Sequence, residues 1–446
     1  MQRYGLPRQF ARHDKTRFLA PTSILAAALL LSAPVLLSTA VLAAEAPAEL
    51  AREKPEALGF SSAKLGAISK RIKSDVDAGT IPGAVLLIAR HGKVAYFEAI
   101  GQQDPQAKIP MAKDSIFRIY SMTKPITSAV AMQLVEEGKV TIGDPVARYI
   151  PSFKDAKLGV EKPGADGKMV LELAPARAPS VQDLLRHTAG ITYGFFGDTL
   201  QKRAYRESVS LSTNIDNAEF ADRIAKLPLG YQPGTTWDYG YNTDVLGRVI
   251  EVADGKSLGQ SMQQRIFNPL GMKDTAFYVT DAAKQKRVAE PFANDRNIGT
   301  DADFFDPRQA AKWESGGGGL TGTAMDYARF LQMMLNKGSF GGKRYLSPAT
   351  VSFMTADHMG DVVKPGPFYL PGTGYGFGLG FAVRKSDGVS PIQGSAGEYN
   401  WGGAGGTYMW VDPKQNLFVV FMMQSPKQRV PYRSLLRDMV YGALTK

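Results

Sequence analysis

Apolar residues in the first hundred positions follow first a helical and then a strand-like spacing. After Ser62, which can cap a helix, they recur every three or four positions and predict a helix over residues 62–78. The apolar positions of this helix are Leu65, Ile68, Ile72 and Val76. Two apolar runs, 83–90 and 93–100, flank His91-Gly92 and predict a β-hairpin with its turn at those two residues.

Both patterns return in the last third of the chain. Thr323 precedes a helical pattern that runs to about Asn336 and can cap that helix. The remaining patterns predict strands over 375–384, 406–412 and 417–423 and a helix over 432–444. The first of these strands contains several glycines.

The middle of the chain, residues 152–300, differs because helical periodicity dominates it. Its helical patterns cover 181–188, 218–225, 243–253 and 257–266. A polar segment rich in glycine and proline, 157–178, predicts a surface excursion with a small hairpin. We therefore predict an α/β domain formed by residues 45–151 and 301–446, a mostly helical lobe inserted at 152–300, and a cleft between the two.

The first 44 residues have the layout of a secretory signal peptide. Basic residues precede an apolar run over 24–42, and small residues follow it at positions 43, 44 and 46. The rival interpretation is a membrane anchor that the mature chain keeps, but the polar residues and Pro34 within the run favour cleavage. The sequence therefore predicts a periplasmic or secreted protein without a stable membrane anchor.

Composition narrows the possible chemistry. The chain has no cysteine, which excludes disulfides, thiolate catalysis and cysteine metal sites. Its four histidines include no His-x-x-x-His pair, so we expect no metal site and no cofactor. The net charge of +11 comes without a basic cluster interleaved with aromatic residues, which points away from nucleic-acid binding. The oligomeric state is left open.

The strongest chemical signal is Ser121 followed by Lys124 at the start of an apolar helix. Residues 126–135 are mostly small or apolar, Pro125 fits a first helical turn, and Gly138 can end the helix in the left-handed conformation. Residues three apart share a helix face, so this spacing places a hydroxyl beside an amine. Burial and the positive end of the helix dipole disfavour the charged form of a lysine, which can then act as a base for a serine.

Two further stretches can complete a site around that pair. Tyr239 lies on a loop before the predicted helix at 243–253, where its phenol could carry a proton to a leaving group. The alternative role for Tyr239 is aromatic packing under the loop. Residues 401–404 include Gly402 and Gly403 and run into a strand, where a backbone N–H could contribute to an oxyanion hole.

These stretches together resemble the active-site motifs of class C β-lactamases and their relatives. Ser121-Met122-Thr123-Lys124, Tyr239-Gly240-Tyr241 and Trp401-Gly402-Gly403 occur in the order and approximate spacing of that superfamily, and the likeness covers about residues 57–445. The resemblance implies an α/β fold with two lobes, as in β-lactamases and penicillin-binding proteins, with an antiparallel sheet flanked by helices. It implies Ser121 as the acylated nucleophile, Lys124 as its base partner and Tyr239 as the proton carrier. The backbone N–H groups of Ser121 and Ala404 would bind the oxyanion.

Departures from the superfamily pattern narrow the range of substrates that we expect. β-Lactamases of this class usually carry Tyr-Ser/Ala-Asn, whereas Tyr241 stands in the third position here and Asn242 comes one step later. They also carry Lys-Thr-Gly, which helps to hold the carboxylate of a β-lactam, where this chain has Trp401-Gly402-Gly403. A Trp-x-Gly strand is similar to that of family VIII carboxylesterases and suits an uncharged, apolar acyl group. The resemblance implies these substrate-binding residues: Tyr241, Asn242, Trp401, Gly402 and Gly403.

The expected activity is hydrolysis of small or apolar esters through an acyl-enzyme, with a small-molecule ester or amide as the ligand. One alternative is a class C-type β-lactamase or a D-alanyl-D-alanine peptidase, for which Arg384 or Lys385 could supply the missing cleft charge. A Ser-His-Asp mechanism would use His187 as the base, although the chain has no Gly-x-Ser-x-Gly elbow. The alternative outside enzymes is a non-catalytic protein that binds cell-wall peptides.

Overall fold

The computed structural model describes residues 50–208, 214–298 and 304–446. The predicted signal peptide at 1–44 lies outside these ranges. Within them, no helix combines the length and the apolar character that a membrane crossing requires. The described residues all belong to one compact unit, so the division into an interrupted α/β domain and a lobe at 152–300 stays a prediction.

An eight-stranded antiparallel sheet forms the centre of the fold. The strands of the described residues are β1 (Gly83–Arg90), β2 (Lys93–Asp104), β3 (Ile109–Pro110), β4 (Phe117–Arg118), β5 (Lys157–Pro163), β6 (Met169–Pro175), β7 (Thr236–Trp237), β8 (Thr321–Gly322), β9 (Ser339–Phe340), β10 (Lys343–Arg344), β11 (Lys364–Pro365), β12 (Tyr375–Phe377), β13 (Ala382–Arg384), β14 (Tyr399–Gly402), β15 (Tyr408–Asp412) and β16 (Leu417–Met423). The order in the large sheet is β12-β13-β14-β15-β16-β1-β2-β3. The short pairs are β4–β8, β5–β6, β7–β11 and β9–β10.

Helices cover both faces of this sheet. The helices of the described residues are α1 (Ser62–Asp77), α2 (Thr123–Glu136), α3 (Val181–Leu185), α4 (Leu200–Ser208), α5 (Asn217–Ala225), α6 (Asn242–Asp254), α7 (Leu258–Met262), α8 (Asn268–Leu270), α9 (Ala282–Gln285), α10 (Ala324–Leu335), α11 (Pro348–Met354) and α12 (Arg429–Gly442). The predicted antiparallel sheet flanked by helices is therefore confirmed.

Two buried apolar clusters, one on each face, hold the layers together. On one face, α1 and α12 pack against alternate residues of β1, such as Leu86 and Ile88. On the other face, α10 packs against the sheet, where Val85 and Leu87 belong to the second cluster. Because both faces are covered, β1 is an unbroken apolar run rather than an alternating one.

The helix that carries Lys124, α2, is buried along nearly its whole length, as its sequence predicts. It packs against α6, which also contacts α3 and α5. Gly138 follows α2 with a φ of +70°, which confirms the predicted left-handed stop. The glycine- and proline-rich segment forms the hairpin β5–β6, as predicted.

Residues 375–384 form a hairpin rather than the single strand that we predicted. β12 and β13 pair with each other through a tight turn. In that turn Gly380 has a φ of +92°, and a Cβ atom there would lie 2.5 Å from the Oγ of Ser128 on α2. The turn therefore requires glycine and rests on the helix of Lys124. Two smaller corrections concern helix starts: Ser61 rather than Ser62 caps α1, and α12 begins at Arg429.

Candidate active site

Ser121 lies in a short 3-10 turn, Tyr120–Met122, between β4 and α2. It is partly exposed and lines a cleft. The preceding residue, Tyr120, has a φ of +44°, which a bulky side chain adopts only under constraint. The rings of Phe304 and Phe305 pack edge-on against Tyr120, with centroids 5.4 Å and 5.7 Å away. This packing supports the turn that presents Ser121 to the cleft.

Lys124 is fully buried, and its amine has three neighbours at hydrogen-bond distance. Its Nζ lies 3.3 Å from the Oγ of Ser121 and 3.2 Å from the phenol oxygen of Tyr193. It also donates to the carbonyl oxygen of Gly317 at 2.6 Å. The structure therefore brings the predicted serine and lysine together, with Tyr193 and Gly317 as additional partners.

The glycine-rich loop at 315–319 positions the Gly317 carbonyl. Its anchor is Asp244 in the first turn of α6, whose Oδ1 accepts from the Gly317 N–H at 3.1 Å and from the Ser315 hydroxyl at 2.5 Å. A Cβ atom on Gly317 would lie 2.3 Å from the Oδ2 of Asp244, so the loop reaches the carboxylate only with glycine there. Burial raises the pKa of Asp244, whereas the charge of Lys124 acts in the opposite direction.

Two tyrosines lie next to the Lys124 amine. The ring of Tyr239 has its centroid 4.6 Å from Nζ, and its hydroxyl has no hydrogen-bond partner in the described part of the chain. Burial raises the pKa of Tyr193 well above its ordinary value, and the carboxyl of Asp244 adds to the shift. Tyr193 therefore stays a neutral phenol at physiological pH. Tyr239 is among the residues that line the cleft, and its unpartnered hydroxyl is buried.

Only some of the predicted substrate-binding residues line the cleft. Tyr241, Trp401 and Gly402 line it, and so does Ala404, the predicted oxyanion donor. Asn242 does not, because its side chain is buried and donates to the Ile191 carbonyl at 2.9 Å. Gly403 does not line the cleft either; its N–H donates to the Thr407 carbonyl at 2.8 Å. The expected contacts of Asn242 and Gly403 with substrate are therefore not supported.

The cleft has a volume of about 740 Å³, and many aromatic residues contribute to its walls. The aromatic residues that line it are Tyr120, Tyr193, Phe195, Phe196, Tyr239, Tyr241, Tyr278, Phe305, Trp313 and Trp401. A cleft of this size can bury a small organic molecule.

The chain matches the beta-lactamase family model over residues 68–440, which is most of its length. The chain belongs to the beta-lactamase family. The predicted membership of the β-lactamase-related serine hydrolases and the predicted fold class are therefore confirmed.

Relatives in this family cover most of the chain. Protein Rv1367c of Mycobacterium tuberculosis (strain ATCC 25618 / H37Rv) is 36% identical over 363 residues, which are 79% of this chain and 88% of the relative. The esterase EstB of Burkholderia gladioli is 29% identical over 383 residues, which are 81% of this chain and 91% of the relative. The solved structure of EstCE1, described as a hydrolase with promiscuous acyltransferase activity, has a TM-score of 0.69 at 27% identity and covers 87% of this chain and 99% of its own.

The two basic residues that could have supplied a cleft charge for the β-lactamase or peptidase alternative are paired with carboxylates instead. The guanidinium of Arg384 is buried and pairs with Glu398, with 3.3 Å between Nε and Oε1. Lys385 pairs with Asp357, with 3.3 Å between Nζ and Oδ2. Neither Arg384 nor Lys385 lines the cleft, so neither supplies the missing charge there.

His187 is buried among aromatic rings, including that of Tyr239 at 4.7 Å between centroids. Neither ring nitrogen has a hydrogen-bond partner among the described residues. Burial lowers the pKa of His187 well below its ordinary value, and the charge of Lys124 adds to this. The imidazole therefore lacks the contacts that a Ser-His-Asp base needs.

Our sequence analysis missed Tyr193, Asp244 and Gly317 as parts of the site. The run of glycines at 316–319 was a usable signal, because it predicts a close approach of the backbone. Acidic residues are common in the first turn of a helix, so the position of Asp244 does not by itself indicate a site. No feature of the sequence distinguishes Tyr193 from the other tyrosines.

Proposed function

We propose that this member of the beta-lactamase family is an exported carboxylesterase that acts through an acyl-enzyme on Ser121. The observation that carries the proposal is the 3.3 Å contact between the Ser121 hydroxyl and the buried Lys124 amine on the wall of an aromatic cleft. The likeness to the esterase EstB supports ester chemistry.

In the first step the Oγ of Ser121 attacks the ester carbonyl carbon, and its proton passes to the Nζ of a neutral Lys124. A neutral amine has two N–H bonds and one lone pair. The carbonyl of Gly317 and the phenol oxygen of Tyr193 can accept the two N–H bonds, which leaves the lone pair for the serine proton.

The tetrahedral oxyanion then forms on the side of the cleft where the backbone of Ser121 and Ala404 lies. The Ala404 N–H donates to no acceptor in the described ranges and is available for this role. Tyr239 protonates the leaving alcohol with its unpartnered hydroxyl and recovers the proton from the Lys124 ammonium. Water then cleaves the acyl-enzyme by the reverse sequence of proton transfers.

Short p-nitrophenyl esters test this proposal. We expect wild-type protein to hydrolyse them, and a fluorophosphonate to add its mass to Ser121. Ser121→Ala should abolish both the turnover and the labelling, because no acyl-enzyme can form without the nucleophile. Ser128→Ala, which removes another buried hydroxyl from α2, is the matched control and should keep both. Wild-type turnover by Ser121→Ala would refute the assignment.

A further inference from the structure

The hairpin β5–β6 is a two-stranded sheet of its own, separate from the large sheet. One of its two edges is occupied. On β5, the Gly159 N–H donates to the Leu229 carbonyl at 2.9 Å, and the Gly159 carbonyl accepts from the Nε2 of Gln201 at 2.7 Å. The opposite edge of this small sheet is formed by β6.

The edge of β6 has backbone groups without partners. In an antiparallel pair, the N–H and C=O groups of two opposite residues point either toward each other or away from each other. Gly159 points away from β6 and is opposite Leu173, so the backbone groups of Leu173 point away from β5. The same orientation recurs at every second residue, which adds Leu171 and Met169. In the described part of the chain, the N–H and C=O groups of these three residues have no hydrogen-bond partner.

The side chains along this edge are apolar and reach solvent. Met169, Leu171 and Leu173 share one face of the strand; the first is 49% exposed, the last is 60% exposed, and Leu171 is half-buried. Natural sheet edges usually carry lysines, bulges or an internal proline that prevent pairing with another chain. β6 has none of these before its last residue, and its one charged residue, Glu172, pairs with Lys162 on β5.

We propose that β6 pairs antiparallel with β6 of a second copy of this chain, so that two hairpins form one four-stranded sheet. The twofold axis passes Leu171, and Met169 lies opposite Leu173 of the second copy. All three residues with free backbone groups then form paired hydrogen bonds, and their side chains form one apolar surface.

The sequence of β6 selects this register over its neighbours. An axis at Glu172 would place two carboxylates directly opposite each other, which is unfavourable. An axis at Val170 would place Leu173 opposite the turn of the other hairpin and lose its hydrogen bonds. Because apolar residues lie symmetrically on both sides of Leu171, the strand is complementary to itself, which favours a second copy over an unrelated partner.

Sedimentation velocity of the exported protein over the micromolar range tests the dimer. Wild type should change from monomer to dimer as its concentration rises. Leu173→Lys puts a charge into the apolar surface of each copy and should raise the dissociation constant by about tenfold or more. Val389→Lys, at another exposed valine, is the matched control and should associate like wild type. Equal melting temperatures at low concentration would show that Leu173→Lys is folded.

Single cysteines test the register, because the chain has no cysteine of its own. Opposite Cα atoms in a hydrogen-bonded antiparallel pair lie about 5.5 Å apart, within reach of a disulfide. Under a mild oxidant, Leu171→Cys should therefore give a linked dimer. Leu173→Cys alone should not, since its two copies would lie about 14 Å apart along the strands. Mixing Leu173→Cys with Met169→Cys should restore the link.

A wild-type protein that stays monomeric at the highest concentration would overturn the proposal, and so would unchanged association of Leu173→Lys. Linking of Leu173→Cys as fast as Leu171→Cys would overturn the twofold pairing at Leu171. No residue of β6 lines the cleft, so hydrolysis by Ser121 tests the proposed esterase function independently of these outcomes.

Discussion

At the residue scale, the site depends on how one buried amine is surrounded. Lys124 has no carboxylate within ion-pair distance in the described part of the chain, and its three neighbours are the neutral oxygens of Ser121, Tyr193 and Gly317. A carboxylate beside it would favour the ammonium form, which has no lone pair for the serine proton. The three neutral acceptors hold the amine in place without an ion pair, although the carboxyl of Asp244 interacts with the Lys124 charge from a greater distance.

Sequence reasoning identified Ser121, Lys124 and Tyr239 because short motifs with a chemical meaning mark them. It could not identify Tyr193, because this residue meets the site through contacts between residues far apart in the chain. The phenol of Tyr193 reaches Lys124 across 69 positions. Contacts of this kind depend on how helices and strands pack, and no local spacing encodes them.

His187 gives a prediction about stability and pH. Its pKa is lowered in the folded chain, so below about pH 6.5 the unfolded chain binds a proton that the folded chain does not. The free energy of unfolding therefore decreases as the pH falls, by at most about 1.4 kcal/mol per pH unit for this one histidine. His187→Phe should remove this pH-dependent loss, because phenylalanine does not titrate and the ring nitrogens of His187 make no hydrogen bond among the described residues.

Chemical unfolding of wild type and His187→Phe between pH 7.5 and 5.5 checks this. The difference in unfolding free energy should move in favour of the variant as the pH falls. Ester hydrolysis measured on the same samples tests the Ser-His-Asp alternative, in which His187 is the base. Loss of a general base would lower the rate roughly 10²–10⁴-fold. A loss of that size with unchanged stability would restore His187 as a base.

At the element scale, the predictions from sequence were right for elements with a strong apolar period and a clear end. Helix α2 is an example, since its apolar run and Gly138 define it without help from the rest of the chain. The prediction of a single strand over 375–384 was wrong, because the glycines of this segment fit either an irregular strand or a turn. Contact of Gly380 with Ser128 on α2 decides between the two, and this contact is not visible in the sequence.

The loop at 315–319 gives a prediction at this scale. Gly317→Ala places a methyl group 2.3 Å from the buried Asp244 carboxylate, so the loop must shift and withdraw its carbonyl from Lys124. We expect a stability loss of roughly 1–3 kcal/mol, as for an overpacked core, and a marked fall in kcat for p-nitrophenyl esters.

The neighbouring glycine offers a matched control. At Gly318 the nearest atom to an added Cβ would lie 3.9 Å away, which is ordinary van der Waals contact. Gly318→Ala should therefore unfold at a temperature close to that of wild type, whereas Gly317→Ala should unfold earlier. Equal melting temperatures for the two variants would mean that the loop does not need its contact with Asp244.

At the scale of the whole molecule, the two ends of the described chain are fastened to each other and to the sheet. The Ser61 N–H donates to the Ala443 carbonyl at 2.9 Å, and Arg90 on β1 donates to the Lys446 carbonyl at 2.9 Å. These bonds join α1 and α12, and α12 also contributes Arg429 and Arg433 to the lining of the cleft. The layer behind the sheet thus contributes directly to the shape of the site.

These contacts lead to a prediction about which N-terminal residues the protein needs for its stability and activity. A protein that starts at Pro47 keeps Leu50 in the core and the paired bonds of residues 51 and 53 with Val94 on β2. It should match the protein purified after export in melting temperature and in kcat/KM.

A protein that starts at Phe60 loses the buried side chains of Leu50 and Leu58, and it should be less stable by several kcal/mol, since each buried leucine is worth roughly 2–5 kcal/mol. Thermal unfolding and ester hydrolysis of the three proteins check this, together with the mass of the exported chain, which reports whether residues 1–44 are removed. Failure of the Pro47 protein to fold would show that residues before it belong to the folded unit.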